Sequence, residues 1–119
     1  MSRVARKARN QALFREVNER IAEVAADFDA VASEKQDFVC ECSQIGCTQL
    51  VQLPMAAYAQ IRSDAAEFVV LSGHEDPDHE TVVERHDGYV IARNKPGVAE
   101  EIALEATQRE PFSPHTLQP

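Results

Sequence analysis

The chain has 119 residues, 44% of them hydrophobic, and a formal net charge of −8. That length suits one domain with its own core, and no run of eighteen apolar residues offers a membrane span. An acidic body repels phosphate backbones, which argues against a nucleic-acid reader except through the N-terminus.

Residues 1–9 open the chain as a basic arm. Six of the twelve basic residues (Arg3, Arg6, Lys7, Arg9, Arg15, Arg20) fall in the first twenty positions. The stretch MSRVARKARNQ lacks the apolar middle of a secretory signal. With an odd number of thiols as well, a cytoplasmic, reducing setting is expected, where clustered cysteines serve as ligands or catalysts rather than disulfides.

From residue 10 to 32, Phe14, Val17, Ile21, Val24, Phe28 and Val31 recur every three or four positions. This predicts an amphipathic helix with Arg15, Glu16, Asn18, Glu19 and Arg20 on its other faces. The stripe keeps a heptad-like spacing over about two and a half heptads. It fits either docking on the chain's own domain or contact with a protein partner or a second copy.

Asp37–Cys42 and Gln49–Leu53 read as two strands of a hairpin. Pro54 then suits the first position of a helix carrying Met55, Tyr58 and Ile61. Glu67–Leu71 (EFVVL) reads as a buried strand, followed by the acidic loop SGHEDPDHE. In VVERHDGYVIARN, Asp87-Gly88 predicts a two-residue hairpin turn, because glycine accepts positive φ. VAEEIALEATQR predicts a last helix, with Glu100 and Glu101 in its first turn suiting the helix dipole. Residues 111–119, with three prolines, read as a disordered tail. Helix, hairpin, helix, strand, hairpin and helix make an α+β pattern: a single domain over 10–110 with antiparallel hairpins and, as argued next, a zinc-stabilised core.

All three cysteines, Cys40, Cys42 and Cys47, lie within FVCECSQIGCTQLVQ. On a strand, Cys40 and Cys42 point to one face with Glu41 opposite. Gly46 permits a bend that swings Cys47 back over that face. Three converging sulfurs predict a metal site, with Zn2+ the expected ion and histidine the expected fourth ligand. His74, delivered by the end of the EFVVL strand, ranks before His79, with a water or an acidic oxygen as further options. His86 sits at a hairpin tip and His115 in the tail. Buried core cysteines or redox-active thiols are the alternatives.

Catalytic signatures do not fit. His74 and His79 are five apart with Pro77 between them, whereas a metalloprotease helix needs two histidines four apart. No deaminase, nucleophile-elbow, phosphate-loop or dinucleotide pattern occurs in the chain.

The run from FVCECSQIGC through GHE, followed by VVERHDGYVIARN, resembles a group of small uncharacterised actinobacterial proteins. These share an R-N-x-x-L-F-R-E-V-N-E-R-I helix, a C-E-C…C stretch and G-H-E after F-V-V. The resemblance covers roughly residues 8–110 and implies Cys40, Cys42, Cys47 and His74 as the matching set. Pro54 departs from it, standing where a threonine-like helix cap is expected.

These readings favour a small zinc-binding adaptor or regulatory module with a structural Cys3His site, acting through protein contacts. A zinc hydrolase would instead need an open coordination position with Glu75 poised over it. A nucleic-acid-associated regulator would use Arg3, Arg6, Lys7 and Arg9.

Overall fold

The computed structural model describes residues 2–27, 34–44 and 46–109. Helix α1 (Arg3–Asp27) starts from a cap that the hydrophobic pattern does not reveal. The Ser2 hydroxyl accepts from the Ala5 N–H at 3.1 Å, and the Ser2 carbonyl accepts from the Arg6 N–H at 3.0 Å. Helix formation therefore begins at Arg3 rather than Asn10. The stretch expected to be a separate basic arm forms the first turns of α1, where Val4, Ala5 and Ala8 pack against Ala99 and Ile102. The expected continuation of this helix to residue 32 and the tail 111–119 lie outside the described residues.

Strands β1 (Lys35–Val39) and β2 (Leu50–Pro54) pair antiparallel, with Lys35 opposite Pro54 and Val39 opposite Leu50. Pro54 ends β2 and precedes helix α2 (Met55–Arg62) as an extended residue, with φ −63° and ψ 147°. It is a cap position rather than the first helical residue. Strand β3 (Glu67–Leu71) spans the residues predicted for it, and β4 (Glu80–Arg85) and β5 (Tyr89–Asn94) follow as a hairpin. Gly88 closes that turn with φ 86°, a conformation that is costly for residues with a Cβ. Helix α3 (Val98–Arg109) ends the described chain.

The second sheet has the order β3–β5–β4, all antiparallel. Phe68, Val69 and Val70 of β3 and Val90, Ile91 and Ala92 of β5 are buried without alternation, so the sheet is covered on both faces. Helix α1 lies on the face of Phe68 and Glu80: the Arg15 guanidinium is 4.1 Å from the Phe68 ring centroid, and Gln11 hydrogen-bonds Glu80. Strand β4 is an edge, exposed along Thr81–Arg85 except for half-buried Val82. A register shift between Val82 and Glu84, beside the charged Glu84 and Arg85, marks that edge, an arrangement that discourages further strand pairing.

The fold is the expected α+β domain, but α1 uses a different face from the one its apolar stripe predicts. Its buried residues are Ala8, Gln11, Ala12, Arg15 and Asn18. Val17 and Val24 are 39% and 52% exposed, and Phe14 and Ile21 are half-buried at the flank. The reason is chemical. The surface beneath α1 offers two carboxylates, Glu41 and Glu80, and carbonyl groups, and Gln11, Arg15 and Asn18 satisfy them where leucine or valine could not.

A candidate metal centre at the junction of the two sheets

The cysteine segment is where the chain leaves the first sheet for the second. At Val39, where strand β1 ends, the Asn18 side chain pairs with both backbone groups of that residue. Asn18 Nδ2 donates to the Val39 carbonyl at 2.8 Å, and the Val39 N–H donates to Asn18 Oδ1 at 2.7 Å. Cys40 then donates its N–H to the Gln49 carbonyl at 2.9 Å, and Glu41 donates its N–H to Val69 of β3 at 2.8 Å. Cys40 and Cys42 therefore sit just past the strand predicted to carry them. A turn from Gln44 to Cys47 (3.2 Å between the Gln44 carbonyl and the Cys47 N–H) reverses the chain through Gly46, whose φ is 91°. A second turn at the end of β3, closed by the His74 N–H on the Leu71 carbonyl at 2.9 Å, brings His74 to the same place.

The thiol sulfurs of Cys40, Cys42 and Cys47 and a ring nitrogen of His74 all lie within 4.8 Å of one another. His74 Nδ1 is 3.8 Å from the Cys40 sulfur and 3.7 Å from that of Cys47. Tetrahedral zinc places bound sulfur and nitrogen about 3.6 Å apart, from bond lengths of about 2.3 and 2.0 Å. The donor set thus fits a metal ion in type, number and spacing. Cys40 and Cys42 are fully buried, whereas Cys47 and His74 are half-exposed, so the site has a protein side and a solvent side. The Leu71 N–H points at the Cys40 sulfur, 3.2 Å away, a donor that stabilises a thiolate and orients it.

Electrostatics distinguishes the three thiols. The hydrogen bond with Cys42 lowers the Cys40 pKa, while the same bond and burial push that of Cys42 up. Burial raises Cys47. Without a counter-charge, three thiols this close do not ionise together. A divalent cation reverses this preference, since it binds the deprotonated form of each.

The other histidines are elsewhere. His79 is buried, and neither ring nitrogen has a hydrogen-bond partner among the described residues; its Nδ1 is 3.7 Å from Asp76 Oδ2. Burial lowers its pKa, keeping the ring neutral. His86 is exposed, stacks on Tyr89 and contacts Glu84 at 3.0 Å. His115 lies outside the described residues. Glu75 is not among the four donors. One of its carboxylate oxygens accepts from the Gly73 N–H at 2.9 Å, and the other is 4.0 Å from Arg85.

Sequence reasoning missed Glu41, the residue between the first two cysteines. Its carboxylate is fully buried on the side away from solvent. It accepts from the Tyr58 hydroxyl at 2.6 Å, Asn18 Nδ2 at 2.8 Å and the Val69 N–H at 3.0 Å. Burial raises its pKa, and Arg15 and these donors act in the opposite direction. Glu41 thus ties the cysteine segment to α1, α2 and β3 at once. A signal existed: Gln11, Arg15 and Asn18 recur at helical spacing, a polar stripe that needs buried partners.

Comparison with known proteins adds no family: no family model matches the chain, and no curated protein and no solved structure matches it significantly. Among the described residues no helix is long and apolar enough to cross a membrane.

Proposed function

We propose that this chain is a small zinc-binding adaptor or regulatory module. Cys40, Cys42, Cys47 and His74 hold one structural Zn2+, in a reducing, cytoplasmic setting that keeps the thiols free for it. The observation that carries this reading is the convergence of four donor atoms, from two separate loops, within 4.8 Å. Thiolate and imidazole together are a usual zinc set, and four protein ligands leave no position for a reacting water. The engagement of Glu75 with Gly73 and Arg85 also favours a structural role over a hydrolytic one.

The ion would supply cross-linking. The ligands must be gathered from two parts of the chain, so metal binding is folding energy, about 10–16 kcal/mol in apparent terms for structural sites.

Native mass spectrometry of the protein purified without added metal should show one zinc per chain. Cys47→Ser should lose the ion and lower the melting temperature by more than about 10 °C. A folded wild-type chain without metal, or a Cys47→Ser variant with unchanged zinc content, would overturn the proposal.

A further inference from the structure

Helix α1 leaves two features that the fold does not use. The first is an apolar ridge on the side facing away from the domain: Leu13, Val17 and Val24 are 54%, 39% and 52% exposed. On a helical wheel these three fall within about 40° of one another, opposite the buried Ala8, Gln11, Arg15 and Asn18. The second is the order of charge along that same side. Arg3, Arg6 and Arg9 precede the ridge, Arg20 lies within it, and Glu16, Glu23 and Asp27 flank or follow it. The first turn holds no acidic residue and the last turn no basic one. The charges therefore run against the helix's own dipole, which favours acids at the N-terminus and bases at the C-terminus.

Part of this mismatch is answered within the chain, by Lys7 on Asp76 and by Arg62 on Glu19 at 2.9 Å. Arg6, Arg9, Glu23 and Asp27 make no ion pair with any described residue. All four are exposed among the described residues.

We infer that α1 is a homodimer interface, in which the helices of two copies pack antiparallel along the Leu13–Val17–Val24 ridge. Antiparallel pairing is the arrangement the charges select. A parallel copy would set Arg6 against Arg6 and Asp27 against Asp27. An antiparallel copy, related by a two-fold axis beside Glu16 and Val17, brings Arg6 to Asp27 and Arg9 to Glu23. The first pair centres between Glu16 and Val17 and the second on Glu16, so one axis serves both to within about half a residue, with Val24 lying beside Arg9 of the other copy. Val17 meets its counterpart at the centre, and the Leu13 of one copy lies near Val17 and Arg20 of the other, where the arginine stem can cover apolar surface.

The same surface patch serves both copies, as a two-fold interface requires, and each helix dipole is opposed by that of its neighbour. A helix of 25 residues is about 37 Å long. One face of that length with three apolar residues makes an interface at the small end of the specific range, so the pairing is sought at high protein concentration. None of the four candidate metal ligands lies on α1, so substitutions along the ridge leave the donor set intact.

Sedimentation equilibrium of the full chain at about 100 µM tests the pairing. The wild type should be dimeric at low salt and should dissociate progressively as salt rises. Val17→Glu should be monomeric with unchanged circular dichroism and zinc content. Arg9→Glu and Glu23→Arg should each weaken the dimer about tenfold or more, and the double variant Arg9→Glu/Glu23→Arg should restore it. Rescue by the double swap is specific to the antiparallel register. A monomeric wild type, a Val17→Glu dimer, or a failed rescue would each overturn the inference. Zinc content, read on the same samples, separates this outcome from that of the metal proposal.

Discussion

Glu41 is held by three hydrogen-bond donors and faces no solvent. Removing it should cost more than any exposed residue. Glu41→Ala takes an acceptor from Tyr58, Asn18 and the Val69 N–H and a counter-charge from Arg15. A loss of about 3–5 kcal/mol is expected in urea denaturation, with Glu41→Gln intermediate. A loss below about 1 kcal/mol would show the network to be unimportant. Glu80 makes a different prediction. Burial raises its pKa to about 7, although the Asp76 N–H and Gln11 donate to it. A folded-state value above the ordinary carboxylate value means the fold prefers the protonated form. This residue's contribution is therefore most favourable at acid pH and declines as pH rises from about 4.5 to about 7, by about 3 kcal/mol in all. Zinc ligation has its own pH dependence, so the measurement is a difference. Glu80→Gln should gain stability relative to wild type between pH 5 and pH 8, and a flat difference would refute the assignment.

At the scale of elements, the strands were legible and the helix face was not. The run EFVVL predicted β3 to the residue, and Asp87-Gly88 located the β4–β5 turn, because positive φ and β-branched flanks are local requirements. The start of α1 depended on the Ser2 cap, which the hydrophobic pattern does not carry, and the outer edge of β1 on a side chain far away in sequence. Asn18 pairs with both backbone groups of Val39 as a neighbouring strand would. Asn18→Ala should therefore orphan two backbone groups and lower stability by about 2 kcal/mol. It should also speed amide exchange at Val39 and Cys40, while exchange in β3 stays slow. Uniform acceleration throughout the domain would show that Asn18 acts only on global stability. Nor could periodicity distinguish the two candidate faces of α1. The apolar stripe Phe14–Val17–Ile21–Val24 and the polar stripe Gln11–Arg15–Asn18 share the same period. Only the chemistry of the surface beneath, rich in carbonyls and carboxylates, selects between them.

Across the whole molecule, the candidate centre sits where the β1–β2 hairpin meets the β3–β5–β4 sheet. Its removal should loosen that junction rather than one loop. Treating the protein with a strong chelator should lower the melting temperature by more than about 10 °C and open the 43–49 loop to proteolysis. Zinc, but not magnesium, should restore both, since soft thiolates disfavour a hard ion. A chelated protein with an unchanged melting curve would mean that packing alone holds the junction. The sequence by itself determined which residues could be ligands, that they would cluster, and that the fold would be α+β. Those features follow from residue type and short-range spacing. Tertiary structure decided that His74 rather than His79 meets the three sulfurs, that Glu41 is an anchor, and that α1 buries its amides and guanidinium while presenting valines and a leucine to solvent. Each of these depends on which surfaces face each other across the fold, and that is set by the balance of buried hydrogen bonds against buried apolar area, not by the pattern along any one segment.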